Sequence, residues 1–429
     1  MKRVIVVGSG AGGAAAADAL VGRCDVTVLE EGRAFRPFRT DLALPERLKR
    51  LGVLRDPRLI RALFPAMHVR TAADGTLLVT GHGTGGTTTL ATGNAVRLDG
   101  GLRRAGVDLD AEFEELERSI HVTADHGRVW SEPSRKAFEA CRAMGLAPKP
   151  LPKMGHQERC EGCGHCVLGC PHGVKWDARQ PLARARARGA GVELGWRVRH
   201  VVRNGGAASG VVATRGPRRR FFPADAVVLA AGGLGTPAIL QRSGIATDAR
   251  LFVDPVLCVA ARWPGARQDR EMSMPFYAER GRCLIAPYFD QLSYFFDRRW
   301  RPAASAVFSR MIKLADSGTG TVEGKRVGPL LTPADRAELS EAVELCTEIL
   351  ARLGVRPRDV FLGTLNAGHP GGTVPLTPAD AASLHPSRLP ANVWAADGSL
   401  FPGSPGGPPI LTIMALARAV ARRVADAVA

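Results

Sequence analysis

The stretch "RVIVVGSGAGGAAAADAL", residues 3–20, holds three things in succession: a continuously apolar strand, a glycine turn and an alanine-rich helix. Gly8, Gly10 and Gly13 stand in the spacing G-x-G-x-x-G around Ser9. In that spacing the first glycine permits a tight turn and the second lets a pyrophosphate approach the backbone. The third allows the helix to pack closely on the strand. The helix N-terminus also offers free N–H groups to phosphates. Next, "DVTVLEEG" (25–32) supplies a second strand that ends in Glu30 and Glu31. A carboxylate there suits the hydroxyls of an adenosine ribose. Strand, turn, helix, strand and acid in this order predict a dinucleotide-binding α/β fold, with FAD and NAD both open.

Three further segments narrow the choice. "GHGTGGTTTLATGN" (81–94) is too rich in glycine and threonine for an ordinary loop unless its backbone lies close to a ligand. "ADAVVLAAGGLGTPAILQRSGI" (224–245) reads as a buried strand, a small-residue turn and a helix with Pro237 in its first turn. "LPANVWAADGSLFPGSPGGPPILTIMALARAVARRV" (389–424) gives a short strand ending at Asp397, a Pro/Gly loop and a long helix from about Leu411.

These blocks, in this order and spread over about half of the chain, resemble the glucose–methanol–choline (GMC) oxidoreductases, which bind FAD. The resemblance implies FAD contacts from Gly8, Ser9, Gly10, Gly13, Glu30 and Glu31 in the first block, and from Gly85, Gly86, Thr87 and Asn94 in the second. In "GWRVRHVV" (195–202), Val198 takes the adenine-side backbone position. Ala231 and Gly232 follow in the third block, and Asp397, Gly398, Pro409 and Thr412 in the last. Gly398 stands where the family's "D-A-S" has alanine.

"NAGHPGGTVPL" (366–376) contains H-x-x-G-T, and His369 is similar to the family histidine that faces the flavin. Alcohol oxidation removes a proton and a hydride, and imidazole titrates near the working pH. The family's second catalytic residue, a histidine or asparagine in "N-P-x-x-T", is replaced here by Pro408 in "PPILT" (408–412). Proline's side chain neither donates a hydrogen bond nor accepts a proton. Asn366 and His385 are the nearest substitutes along the chain.

"CEGCGHCVLGCPHG" (160–173) places Cys160, Cys163, Cys166 and Cys170 in C-x2-C-x2-C-x3-C, followed by Pro171. That is the bacterial ferredoxin run, and Gly162, Gly164 and Gly169 leave the backbone free to wrap a cluster. Zinc sites pair two knuckles across a longer spacer, so a 4Fe-4S cluster is favoured over zinc. A 3Fe-4S cluster follows if Cys170 cannot reach. The other five cysteines read as buried small hydrophobes. "CVLGCPHGVK" (166–175) also resembles the cysteine patch of the fatty-alcohol-oxidase-like branch.

The net charge of +17 fits a basic surface for an acidic redox partner or anionic substrate. Nucleic acid is not expected, because "RGPRRR" (215–220) has no aromatic ladder for bases. No run of about eighteen apolar residues predicts a transmembrane segment, and the chain is expected to be cytoplasmic. Between 282 and 300, Tyr288, Phe289, Tyr294, Phe295, Phe296 and Trp300 predict a core strand pair, a minority of them walling a pocket. "LTPADRAELSEAVELCTEILARLGV" (331–355) predicts an amphipathic helix capped by Thr332.

The expected fold is therefore α/β, a Rossmann-like FAD-binding domain of GMC type with an α+β substrate domain and an inserted iron–sulfur loop. The FAD-binding part comprises 1–100, 186–249 and 356–429. A helical connection covers 101–150, the cysteine insert 151–185 and the substrate domain 250–355. The expected reaction is alcohol oxidation by hydride transfer to FAD, on a hydrophobic small-molecule substrate. Electrons would leave through the cluster to an acidic redox protein or a quinone system. Two alternatives stand beside it: a C=C reductase fed by a low-potential donor, and a non-catalytic electron-transfer subunit.

Overall fold

A computed structural model describes residues 1–38, 42–54 and 56–429. Strand Arg3–Val7 lies in the middle of a five-stranded parallel sheet. The strand order is Val393–Ala395, Ala226–Leu229, Arg3–Val7, Asp25–Glu30, Gly191–Leu194. Val6 stands opposite Val28 on one side and Val228 on the other. The inner strands Arg3–Val7 and Ala226–Leu229 are almost wholly apolar because both faces of a parallel sheet are covered. Helix Ala11–Leu20 packs against helix Ile410–Ala427 and against helix Arg179–Ala187. Its run of buried alanines lets these axes approach closely. Gly13 serves the same end, since a Cβ there would lie 1.9 Å from the Gly8 carbonyl oxygen.

The second half is a nine-stranded, mainly antiparallel sheet. Its centre is Val256–Arg262 beside Val307–Leu314, with Cys283–Pro287 next. Helix Pro333–Arg352 packs on this sheet. The helix is capped by Thr332, which accepts from the Asp335 N–H while Asp335 accepts from Thr332 in return. The basic run 215–220 lies on an antiparallel hairpin, Ala207–Arg215 with Arg218–Pro223.

Several expectations shift. Met67–Thr71, Leu77–Gly81 and Asn366–Ala367 join the nine-stranded sheet, although the sequence assigned them to FAD-binding segments. Helix Arg179–Ala187 crosses the expected boundary at 185/186 and packs with the nucleotide half. The helix carrying Pro237 begins at Gly232, so the proline falls in its second turn. The aromatic segment is not a strand pair: strand Cys283–Pro287 gives way to helix Gln291–Phe296 because Asp290 caps the N–H groups of Leu292 and Ser293. Phe289, Tyr294, Phe295 and Trp300 pack with Phe64 in a separate core, and none of the six aromatic side chains lines the cavity described next.

Candidate active site

The strand ends, the glycine turn and the C-terminal loop surround one elongated cavity, with about 1630 Å³ of empty space including its mouth. Gly8, Ser9, Gly10, Glu30, Glu31, Gly86, Thr87, Val198, Ala231, Gly232, Asp397, Gly398, Pro409 and His369 all line it. Gly8 has φ +100°, and a Cβ there would lie 2.4 Å from the Ala230 carbonyl oxygen. Gly86, at φ +52°, brings the glycine–threonine loop so close to the turn that a Cβ would lie 2.9 Å from the Gly10 Cα. Both contacts need glycine.

Four expected contacts lie outside the lining. Gly13 is the packing glycine described above. Gly85 turns the chain beside Thr89 and Arg179. The Asn94 side chain is buried, donating to the Met274 sulfur and accepting 2.5 Å from Lys153 Nζ. Thr412 accepts the Leu98 N–H at 2.9 Å. Each hydroxyl, amide or turn is consumed by the fold, which the sequence pattern does not reveal.

At one end of the cavity, the Glu30 carboxylate accepts the Ser9 N–H at 3.0 Å, the Ser9 hydroxyl at 2.6 Å and the Gly32 N–H at 2.8 Å. A carboxylate has about four acceptor positions, so Glu30 chiefly fastens the turn to the second strand. Glu31 faces Arg197 at 3.6 Å. His82 stacks on His68 with ring centroids 3.6 Å apart. Burial, with Arg70 and Arg197 nearby, pushes His82 down to about 4, so it is neutral. Asp397 joins the sheet end to the third glycine turn, accepting the Gly232 N–H at 2.8 Å, the Thr236 hydroxyl at 2.6 Å and the Ser399 N–H at 2.8 Å.

At the other end His369 meets residues that the motifs did not single out. Its Nδ1 lies 3.4 Å from Asp254 Oδ2. Lys313 Nζ lies 3.6 Å from the same oxygen and donates to the Asp254 carbonyl at 2.9 Å. The other carboxylate oxygen accepts from the Ser404 hydroxyl and, at 2.9 Å, from the Gly406 N–H. Asp254 itself has φ +51°, a left-handed conformation that costs a non-glycine residue about 1–3 kcal/mol and is held by these bonds. Burial raises the Asp254 carboxyl, but Lys313, His369 and Ser404 outweigh it and hold it below its usual range. Burial and the Lys313 charge lower His369 below the ordinary imidazole value, against the pull of Asp254. The imidazole is thus kept neutral and oriented, ready to take a proton. A signal was present: "VFSRMIKL" (307–314) is a strand buried at every position, yet it carries Arg310 and Lys313.

Neither substitute for the absent second residue reaches the cavity. The Asn366 amide donates to the Thr364 carbonyl at 3.1 Å. His385 Nε2 bonds the backbone carbonyls of Pro390 and Val393. Pro408 is buried beside the lining residue Pro409.

Cys160, Cys163, Cys166 and Cys170 line a second, small pocket of about 330 Å³ empty volume. All nine cysteines are free. A lone zinc bound at 2.3 Å needs thiolate sulfurs only about 3.8 Å apart. Among the described residues, no three of these thiols come within 4.8 Å of one another. Gly164 lets the loop pass so close to its neighbour that a Cβ would lie 1.8 Å from the Asp269 carbonyl oxygen. Two buried lysines adjoin the loop. Lys175 Nζ donates to the Cys166 carbonyl at 2.9 Å and also to the carbonyls of Thr89 and Ala91, at 2.8 and 2.6 Å. Lys153 Nζ donates to Asn94 Oδ1 and to the Ser273 carbonyl, at 2.5 and 2.7 Å. One ammonium therefore ties the cysteine loop to the loop that carries Gly86 and Thr87.

The profile of the GMC oxidoreductases matches residues 5–257, more than half of the chain. The chain belongs to the GMC oxidoreductase family.

For this GMC oxidoreductase the FAD-binding fold follows from that membership. An uncharacterized GMC-type oxidoreductase of Mycobacterium tuberculosis (strain H37Rv) is 28% identical over 494 residues, spanning 97% of this chain and 75% of that one. An uncharacterized protein of Methanocaldococcus jannaschii is 21% identical over 80% of this chain and 86% of its own. Among solved structures, pyridoxine 4-oxidase from Mesorbium loti superposes with a TM-score of 0.71 at 20% identity, covering 98% of this chain and 99% of that one. Formate oxidase of Aspergillus oryzae RIB40 gives 0.70 at 13% identity, covering 99% and 98%. At these identities the structural likeness is one of fold. No helix among the described residues is long and apolar enough to cross a membrane.

Proposed function

We propose that this GMC oxidoreductase is an FAD-dependent alcohol dehydrogenase, with His369 as its base and an iron–sulfur cluster on Cys160, Cys163, Cys166 and Cys170 as its electron outlet. The observation that carries the reading is the Lys313–Asp254–His369 chain, buried at Lys313 and Asp254 and reaching the cavity at His369. Bound in these two pockets, FAD supplies a hydride acceptor and a cluster supplies a one-electron outlet.

The chain's own residues supply the rest. The N-terminus of helix Ala11–Leu20 would offer its N–H groups to the pyrophosphate, while the Ser9 N–H is held by Glu30. Asp397 holds the third turn against the sheet end. His369, neutral and oriented through Nδ1, takes the substrate hydroxyl proton on its other ring nitrogen as the carbon gives up hydride. Asp254 and the Gly407 backbone favour the imidazolium that results. This arrangement does without a polar side chain at position 408: the charge that forms on the base is answered from behind, by Asp254, rather than from beside the substrate. Phe252, Phe401, Pro405 and Ile413 line the cavity together with His369, which suits a hydrophobic alcohol.

Support for the cluster comes from charge as well as spacing. Lys153 and Lys175 are almost fully buried, and their acceptors are neutral carbonyl and amide oxygens. Burial lowers the pKa of both, Lys153 to about 7, and an anionic thiolate-ligated cluster beside them would favour their charged ammonium forms. The Lys175 link holds the two loops together, which favours electron transfer between groups bound at each. The basic net charge of +17 suits an acidic redox protein, with a quinone system the second candidate acceptor.

Anaerobic titration with long-chain, isoprenoid and steroid alcohols tests the reaction. Bleaching of the flavin absorbance is expected in the native protein and its loss in His369→Ala. Should no alcohol bleach the flavin while a low-potential donor does, the direction of electron flow proposed here is wrong.

A further inference from the structure

On the face beside the entry to the cysteine loop, His121, His156 and Glu158 form a group that the flavin chemistry does not use. Their ligand atoms all lie within 4.8 Å of one another, and among the described residues no other three of this kind do so. His121 Nε2 is 3.4 Å from one Glu158 carboxylate oxygen and His156 Nδ1 is 3.0 Å from the other. The two imidazole rings are almost parallel, 12° apart in plane, with centroids separated by 4.8 Å.

We infer that His121, His156 and Glu158 form a binding site for a divalent transition-metal ion, of which zinc is the type. Two imidazoles and a carboxylate are the donors that borderline cations take, and three protein ligands leave positions for water. Calcium and magnesium prefer all-oxygen donor sets and fit poorly.

The group is held in place by the backbone rather than by chance side-chain contact. Val122–Thr123 pairs antiparallel with Lys153–Met154, and just beyond that ladder the Gly155 N–H donates to the His121 carbonyl at 2.8 Å. The His156 N–H donates to the Val174 carbonyl at 2.8 Å, on the far side of the cysteine loop. Both histidines therefore sit on paired chain, and Glu158 follows on the short turn Gln157–Arg159. The nearby Arg128 guanidinium is turned to the backbone carbonyls of Glu158 and Cys160, the latter at 3.0 Å, and leaves the Glu158 carboxylate to the two imidazoles. A bound ion would join the segment entering the cysteine loop to the strand that begins at Val122. It would thereby fasten one end of the loop without taking any of its thiols.

Zinc titration of chelator-washed, anaerobically purified full-length protein, followed by isothermal calorimetry and by metal analysis after gel filtration, tests this. One zinc equivalent should bind in the native protein. His121→Ala and His156→Ala should each weaken it by about tenfold or more, the least expected when a ligand itself is lost. Flavin and iron contents should be unchanged in both variants. The residues are exposed, and a melting curve checks that each variant folds. Zinc binding that is absent in the native protein, or that persists undiminished in both variants, overturns the assignment; the latter result would put the ion on the thiols.

Discussion

His369 Nδ1 and Asp254 Oδ2 are 3.4 Å apart, across 115 positions of sequence, with Lys313 Nζ 3.6 Å from the same oxygen. Replacing Asp254 by asparagine keeps the shape of this contact and removes its charge. It also lets the amide donate to Nδ1, which selects the wrong tautomer. Turnover by Asp254→Asn is expected to fall about 10²-fold, within the range for a general base. KM for the alcohol should change little, and the flavin content should remain that of the native protein. Anaerobic steady-state kinetics with a dye acceptor measures this.

The pH profile follows from the same group. His369 must be neutral to accept a proton, so activity is present above its pKa and lost as pH falls through it. Burial and Lys313 lower that pKa, so the acid limb of kcat/KM should lie below the ordinary imidazole range. In Lys313→Met the lowering charge is gone and the acid limb should move to higher pH. An unmoved limb would show that another group controls it.

Protein prepared without oxygen should contain about four irons and matching acid-labile sulfide per chain. Cys163→Ser should lose most of both and keep its FAD, turning from brown to yellow. Zinc in place of iron, or an unaltered spectrum in the variant, counts against the cluster.

Lys175→Met removes the ammonium that holds the cysteine loop to the carbonyls of Thr89 and Ala91. Stopped-flow measurements should find reduction of the flavin by alcohol near the native rate. Reoxidation by an external one-electron acceptor should slow several-fold or more. The melting temperature should fall as well, because buried carbonyls lose their donor.

Asp397→Ala strips acceptors from the Gly232 N–H, the Thr236 hydroxyl and the Ser399 N–H together. Each buried donor left unmade costs about 1–3 kcal/mol. The expected result is a loss of about 3 kcal/mol or more in denaturant unfolding and a lower FAD occupancy after gel filtration.

What the sequence determined by itself was local. The glycine spacing of the turn at Gly8–Gly13 is written in adjacent residues, and the centre of the sheet is legible because strands Arg3–Val7 and Ala226–Leu229 are almost wholly apolar. The four thiols share one pocket because two- and three-residue gaps leave them nowhere else to go. The motif singles out His369, which lines the same cavity as most of the positions named with it. Tertiary structure decided which polar groups the fold consumes: Asn94, Thr412 and most of Glu30's lone pairs go to hydrogen bonds with partners that no local pattern identifies. It also decided what stands behind the histidine. Asp254 and Lys313 belong to separate segments, brought together only when strands Val256–Arg262 and Val307–Leu314 pair. A buried charge declares its partner through distance and desolvation, and neither quantity exists until the chain has folded.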